Sequence, residues 1–405
     1  MSSSLSNSSS SHTSNANASI QACFGELEDS RMGGKIRHKL PDIIVPTICA
    51  VLCGRTHGVR ADTRVDVENF GNGRREWFET FLELSNGIPS HDTFGRVFAL
   101  LSPTGLEAGF VKRVQSVAQL LEGEAVAIDG KTLRRSYDSA SDTAAIHMAS
   151  AWASRNSMVL GQLKTETKSN EITAIPELLK VLELKGCIVT IDAMGCQKKI
   201  AAQIVGQGAD YVLGLKGNQS NLHEAVEERF EEVRQQEPQD RGGDDSQGDY
   251  SERTEQGHGR IETRRCRIIP ADEELPDYKK WESLATLVCI ESERTVADGE
   301  PTGFDETTTD CRYFISSPDC SAEQMAVAVR LHWGIENSVH WILDVAFRED
   351  ECRVRTGHAA QNLSLIRRLT MNLLKHEKSA KVGIGAKRLK AAWDDDYLSK
   401  VLSSA

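Results

Sequence analysis

The 405-residue chain has no apolar run of the roughly eighteen residues that a membrane helix needs, so nothing in it is expected to span a bilayer. The start is not basic, and no apolar core follows it; Met1 to Ala18 is mostly Ser and Asn. A secretory leader is therefore not expected, and the cytoplasm is the expected compartment. Ten cysteines are present, yet no C-x2-C pair occurs, and the closest two, Cys49 and Cys53, lie in an apolar helical run. That scatter argues against a zinc site or a disulfide framework and for reduced, buried thiols. There is no internal repeat. Cations are short: 48 Lys+Arg face 59 Asp+Glu, a net charge of −11 that is unpromising for a nucleic-acid binder. With 39% hydrophobic and 26% charged residues, the chain is an ordinary globular protein of two or three domains.

The average charge conceals a strong asymmetry. His223 to Gln256 holds twelve Asp/Glu and four Arg, a net of −8, whereas Arg353 to Ala391 holds ten Lys/Arg and one Glu, a net of +9. Local fields decide what a surface attracts, so an acidic loop carries the deficit and the C-terminal helical region reads as a phosphate-tracking surface. On this reading Arg353, Arg355, Arg367, Arg368 and Lys375 reach phosphates beside a reaction centre.

Patterning divides the chain into segments. Residues 1–18 are a low-complexity tail expected to be disordered. Residues 22–121 show helical spacing, as in Trp77-Phe78-x-x-Phe81-Leu82, and read as a small all-helical domain. At Gly123 the character changes to short apolar strands. Glu124 to Asp129 and Cys187 to Asp192 each end on a carboxylate, and strand–helix alternation between Ile175 and Leu215 implies a mixed α/β sheet with crossover helices. Residues 217–316 read as the acidic loop followed by a β-rich insertion. Helices then run from Ser321 to about Phe347 and from Ala359 to His376. The domain that begins at 122 is expected to close at 380, leaving 381–405 as a C-terminal tail.

Three acids stand out by position. Asp129 and Asp192 terminate apolar strands, and parallel neighbours ending together would set the two carboxylates side by side at the C-terminal edge of the sheet, where α/β sites lie. Glu336 lies in the helix His332-Trp333-Gly334-Ile335-Glu336-Asn337-Ser338-Val339-His340-Trp341. Such acids form a hard-oxygen cluster suited to two Mg²⁺ or Mn²⁺ ions and to in-line phosphoryl transfer. Asp210 is a rival, but it begins its strand and should point to the opposite edge. His332, Glu336, His340 and Asp344 recur every four residues on one face, a pattern open to reading as a soft-metal site. Hard Mg²⁺ prefers carboxylates, so the histidines are taken as DNA contacts or supports of the acids.

Several runs carry a family resemblance: A-I-D-G-K at 127–131, K-S-N-E-I-T-A-I-P-E-L-L at 168–179, T-I-D-A-M at 190–194, L-K-G-N-Q at 215–219 and H-W-G-I-E-N-S-V-H-W-I-L-D-V-A-F-R-E-D at 332–350. They resemble the H-repeat-associated branch of bacterial insertion-sequence transposases, DDE enzymes with an RNase H-like catalytic fold. The helical part from about Phe24 to Ser102 resembles the N-terminal domain that accompanies them. The resemblance implies that Asp129, Asp192 and Glu336 are the metal-binding triad, that the β-rich segment is an insertion domain, and that the partner is DNA, bound by a homodimer. The wider group carries Tyr-x2-Arg-x3-Glu-x6-Lys around its Glu, whereas those places here hold Val329, His332 and Leu343. Cationic contacts to DNA are therefore expected elsewhere, at Lys131, Arg134, Lys216, Arg330, Arg348, Arg353 and Arg355, together with His332. The implied activity is cleavage at terminal inverted repeats followed by strand transfer. A plain nuclease, or an inactive DNA-binding descendant, is the alternative.

Overall fold

The computed structural model describes residues 24–403 except 26, 30, 32–35, 55–62, 138–143, 166–170, 237–248, 258 and 297–305. The expected Ser-rich tail over 1–18 lies outside the described residues, as does much of the acidic stretch.

The helical part opens with α1 (Pro41–Cys53), which is buried almost all round, as a helix central to its unit must be. Around it come α2 (Arg64–Gly73), the single turn α3 (Arg75–Phe78), α4 (His91–Leu100) and α5 (Pro103–Val117). Thr63 and Asp66 form a reciprocal capping box at the start of α2.

The strands begin with β1 (Ala125–Thr132), β2 (His147–Ala153) and β3 (Met158–Thr165), an antiparallel meander. Helix α6 (Glu171–Lys180) leads to β4 (Ile188–Ile191), and α7 (Lys198–Gly206) leads to β5 (Asp210–Leu215). Strand β4 runs parallel to both β1 and β5. The order β3-β2-β1-β4-β5 is the RNase H-like arrangement, so the expected fold class holds.

The β-rich segment is present, but it does not form a layer of its own. Helix α8 (Ser220–Gln236) occupies the first half of what reads from sequence as an acidic loop. Strands β6 (Asp249–Gly257), β7 (Arg260–Pro270), β8 (Thr286–Val296) and β9 (Glu306–Ser316) then form a second antiparallel meander. Its last strand pairs with β5, Val212 opposite Ser316 and Leu215 opposite Tyr313, giving one nine-stranded sheet among the described residues. The open edge of β5 presents unpaired N–H and C=O groups, and β9 satisfies them. Period-two alternation sorts the side chains. Val212, Val288, Ile290 and Phe314 pack together with Met325 and Val329 of α9 (Ala322–Ile335), while Leu213, Leu287, Tyr313 and Ile315 join the main core.

A π-helical turn, Glu336–His340, joins α9 to α10 (Trp341–Val345), and α11 (Ala359–His376) follows. The expected C-terminal tail is instead two helices, α12 (Ile384–Trp393) and α13 (Asp395–Ser403). Tyr397, Leu398, Val401 and Leu402 recur at helical spacing and are buried. Helix α12 packs on α1 and α11, so the end of the chain completes the helical unit that its beginning started. Arg388 fastens this closure, donating from Nε to the Leu52 carbonyl (3.2 Å) and from Nη2 to that of Val51 (2.7 Å). These are the carbonyls that the last turn of α1 leaves without helical partners.

Candidate active site

Strands β1 and β4 are in register with Ile128 opposite Ile191, so the next residues, Asp129 and Asp192, are neighbours at the C-terminal end of β4. Asp192 turns to accept from the Met194 N–H (3.1 Å), capping the short turn Ala193–Gly195. This turn lies against Gly214 of β5, where a Cβ would come within 3.1 Å of the Ala193 nitrogen, so the close approach favours glycine.

The third acid arrives on the helix. Ser321 and Gln324 form a capping box that starts α9, and α9 crosses β1 and β4 to bring Glu336 to the same edge. His340 Nδ1 lies 3.0 Å from Glu336 Oε2 and 3.6 Å from Asp129 Oδ2. Asp129, Glu336 and His340 offer ligand atoms all within 4.8 Å of one another. His340 is buried and its Nε2 has no hydrogen-bond partner, whereas the Glu336 side chain is 65% exposed and faces solvent. Interruption of the α-helix by a π turn here follows a common pattern at functional sites. The donor set of carboxylates and one imidazole suits a divalent cation.

The four-residue stripe along this helix docks onto the two strands. His332 is buried, its Nδ1 3.0 Å from Thr190 Oγ1 of β4, and burial pushes its pKa down to about 4. His340 faces Asp129, and Asp344 pairs with Lys131 two residues beyond it. Lys131 Nζ reaches both Asp344 oxygens (2.6 and 2.5 Å) and lies 3.8 Å from Asp350. The stripe is therefore a docking face from which only Glu336 and His340 join Asp129; it is not a soft-metal site.

Two of the expected DNA contacts are thereby corrected. Lys131 and His332 are buried, one neutralised by carboxylates and the other serving as an uncharged prop. The same holds for Arg367 and Arg368 of α11, which are 4% and 0% exposed and gather around buried Glu349; Arg368 Nη1 sits 3.0 Å from its Oε1. Lys375 lies over the Trp152 ring, and burial drops its pKa to about 8. An unpaired guanidinium cannot be buried cheaply, and in this case the carboxylate partner comes from the segment after the helix that carries Glu336. Rival Asp210 sits at the far end of β5, opposite Ile188, and accepts from Ser317 Oγ (2.8 Å).

The other expected cations are accessible to differing degrees. Lys216 is exposed immediately after β5, at the edge that carries the acids. The Arg134 side chain is 80% exposed, 3.2 Å from Asp350. Arg330 pairs with Glu255 of β6 (2.7 Å), and Arg348 with Glu351 (2.6 Å). Arg353 is exposed, and Arg355 stacks on Tyr137 while donating to the Arg135 carbonyl. No helix among the described residues is long and apolar enough to cross a membrane.

With this geometry in place, comparison with known proteins is decisive. Residues 121–373 match the family described as "Transposase DDE domain", and residues 21–113 match the "DDE_Tnp_1-associated" family. The chain belongs to the DDE transposase family. It is 42% identical over 380 residues to "Putative transposase YncI" of Escherichia coli O157:H7, covering 93% of each chain. To "H repeat-associated putative transposase YhhI" of Escherichia coli strain K12 it is 40% identical, covering 94% of this chain and 96% of that one. Among solved structures, the piggyBac transposase synaptic complex with hairpin DNA aligns with 97% of this chain and 78% of its own at a TM-score of 0.43 and 13% identity, a likeness too weak to bear on function. The resemblance read from the motifs therefore holds at the level of family and branch.

Sequence reasoning did not single out His340 from the other histidines. The i+4 spacing to Glu336 was visible, but the approach to Asp129 depends on how α9 crosses β1. Nor did it find the Lys131–Asp344 clamp, which ties the segment after one acid to the helix that carries another.

Proposed function

We propose that this protein is an active DNA transposase that cuts at the terminal inverted repeats of its own element and joins the ends to target DNA, using Asp129, Asp192 and Glu336 as its metal-binding acids. The observation that carries the reading is the meeting of Asp129, Glu336 and His340 atoms within 4.8 Å, with Asp192 on the adjacent strand. Mg²⁺ or Mn²⁺ as an ion pair is the fitting occupant, and when bound it supplies the positive charge that stabilises the phosphoryl-transfer transition state and activates the attacking hydroxyl. The protein's own contribution is placement. His340 holds the exposed Glu336 side chain toward Asp129, and the Lys131–Asp344 pair fixes the helix against β1. In this reading water and then a DNA 3′-hydroxyl are the nucleophiles. Lys216, Arg134, Arg348, Arg353 and Arg355 are the accessible cations for flanking phosphates, and a homodimer pairing two ends is the working assembly.

The test is cleavage and strand joining on a donor plasmid bearing the element's ends. Asp129→Ala, Asp192→Ala and Glu336→Ala should each abolish both steps while DNA binding in Ca²⁺ persists. Full cleavage by Glu336→Ala would overturn the triad. Cleavage without joining by the parent protein would make it a nuclease.

A further inference from the structure

Strands β8 and β9 bring two thiols together beneath the end of α8. Their register sets Cys289 opposite Tyr313 and Glu291 opposite Cys311, so period-two alternation puts all four side chains on one face. The Phe230 ring of α8 stacks on Tyr313, with centres 5.8 Å apart, and Arg234, one turn further along, reaches the sulfurs. The two sulfurs lie 3.2 Å apart. Arg234 Nη2 stands 3.5 Å from Cys289 Sγ, 3.4 Å from Cys311 Sγ and 2.7 Å from Glu291 Oε1. Cys311 is exposed, whereas Cys289 is only 3% exposed.

The two thiols differ in chemistry. The hydrogen bond from Cys289, aided by those of Tyr313 and Arg234 and by the arginine's charge, outweighs burial and draws Cys311 down to about 6. The same hydrogen bond, together with burial, pushes Cys289 up, so Cys289 keeps the shared proton. Elsewhere burial pushes Cys53 and Cys196 up to about 12. An accessible thiolate touching a protonated, sheltered thiol is the arrangement of an attacking and a resolving cysteine. Two thiols and a carboxylate are also ligands for a thiophilic cation, but the Arg234 guanidinium already stands within hydrogen-bond distance of all three.

We propose that Cys311 and Cys289 form a redox site that a hydroperoxide closes into a disulfide between β8 and β9. With hydrogen peroxide, the Cys311 sulfur bonds one oxygen and the O–O bond breaks, giving Cys311 sulfenic acid and hydroxide. Cys289 passes its proton to that hydroxide. Its sulfur then attacks the Cys311 sulfur and expels a second hydroxide, which takes up the proton that Cys311 lost on ionising. Two thiols and one peroxide thus give one disulfide and two waters, and a dithiol reductant reverses the change. Diagonal neighbours on paired strands stand farther apart than opposite ones, so closure draws the strands together and the bond should be easily reduced. The site is separate from the metal-binding acids and does not rest on DNA being the substrate.

The test treats the reduced full chain with one equivalent of hydrogen peroxide, blocks the remaining thiols with iodoacetamide and maps the peptides by mass. Cys289–Cys311 should be the dominant cross-link and should vanish on adding dithiothreitol. At pH 6 about half of Cys311 is thiolate, against about 0.3% of a free thiol of pKa about 8.5. That gain of about 160-fold is cut roughly 13-fold by the weaker nucleophilicity of a low-pKa thiolate. Cys311 should therefore oxidise about tenfold faster at pH 6 than a short unstructured cysteine peptide. In Cys289→Ser, dimedone should trap sulfenic acid at Cys311 and the cross-link should be lost, while Arg234→Gln should slow the first step at pH 6 several-fold. Another cysteine pair linking first, Cys289 left reduced while Cys311 passes to sulfinic acid, or Cys311 reacting no faster than the peptide would each overturn the proposal. One equivalent of Zn²⁺ that survives dialysis and shields both thiols would overturn it too, making the cluster a metal site.

Discussion

Glu349→Ala probes the part of the molecule where charge pattern and structure disagree most. Glu349 is 2% exposed, and its Oε1 accepts from Arg368 Nη1 and from Ser364 Oγ, each at 3.0 Å, with Arg367 Nη1 at 3.9 Å. Arg368, fully buried, also donates to Ser150 Oγ of β2 (3.3 Å) and to the Ser364 carbonyl (3.2 Å). The cluster thus ties the turn after the Glu336-bearing helix to α11 and the sheet. Truncating Glu349 leaves buried guanidinium charge without its carboxylate, a loss of about 3–5 kcal/mol. That is a large fraction of the roughly 5–15 kcal/mol by which folded domains are stable. Glu349→Met with Arg368→Met should recover most of the loss, since a well-packed apolar pair avoids both desolvation penalties. Burial alone would raise the Glu349 pKa, but Arg368 and Arg367 outweigh it and hold the carboxyl below its ordinary value. Its stabilisation is therefore complete above the ordinary carboxylate range and is lost as pH falls through the lowered value, so the parent should lose more stability on acidification than the double Met variant. Urea denaturation at several pH values measures all of this. The reasoning is refuted if Glu349→Ala costs less than about 1 kcal/mol and Arg368→Met instead flattens the salt dependence of DNA binding, because the arginines would then be serving phosphates.

Three further outcomes are expected. The folded pKa of His332 is about 4 against an ordinary 6.5, so the unfolded chain binds the extra proton between those values. Stability should fall by up to about 3 kcal/mol as pH drops through that window, and His332→Gln should remove that part of the slope in acid denaturation curves. Cys311 lies 3.2 Å from the Cys289 sulfur and 3.4 Å from Arg234 Nη2, which together draw its pKa down to about 6. Of the cysteines it should alkylate fastest at neutral pH, slowing below about pH 6, and Arg234→Gln should slow it further, as peptide mass mapping would record. Trp281, the Trp of the β-rich segment, is 3% exposed with Lys198 Nζ 5.7 Å from its ring centre. Trp281→Ala should cost about 3–5 kcal/mol in denaturant titrations, whereas a purely DNA-facing role would leave stability unchanged.

The sequence alone was enough to single out the acids as candidates. An apolar run followed by a carboxylate is a local signal at both Asp129 and Asp192, but β1 runs on past Asp129 to Thr132, and it is the parallel register of β1 with β4 that sets the two acids side by side. The helix bearing Glu336, the strands of the β-rich segment and the mixed sheet were legible for the same reason, since periodicity records which face of an element meets the core. Partners were not legible. Lys131 and Asp344 stand 213 residues apart, and only the docking of α9 and α10 on β1 turns an apparent phosphate contact into a buried clamp. Arg367 and Arg368 look like a basic surface until Glu349 folds onto them. The last two helices look like a tail because their apolar faces are short; α12 is buried against α1, more than three hundred residues earlier in the chain, and against α11, and α13 packs on α11 and α12. Tertiary structure decided these points because the cost of a buried charge, and the gain from a buried face, depend on what the chain brings against it from far away.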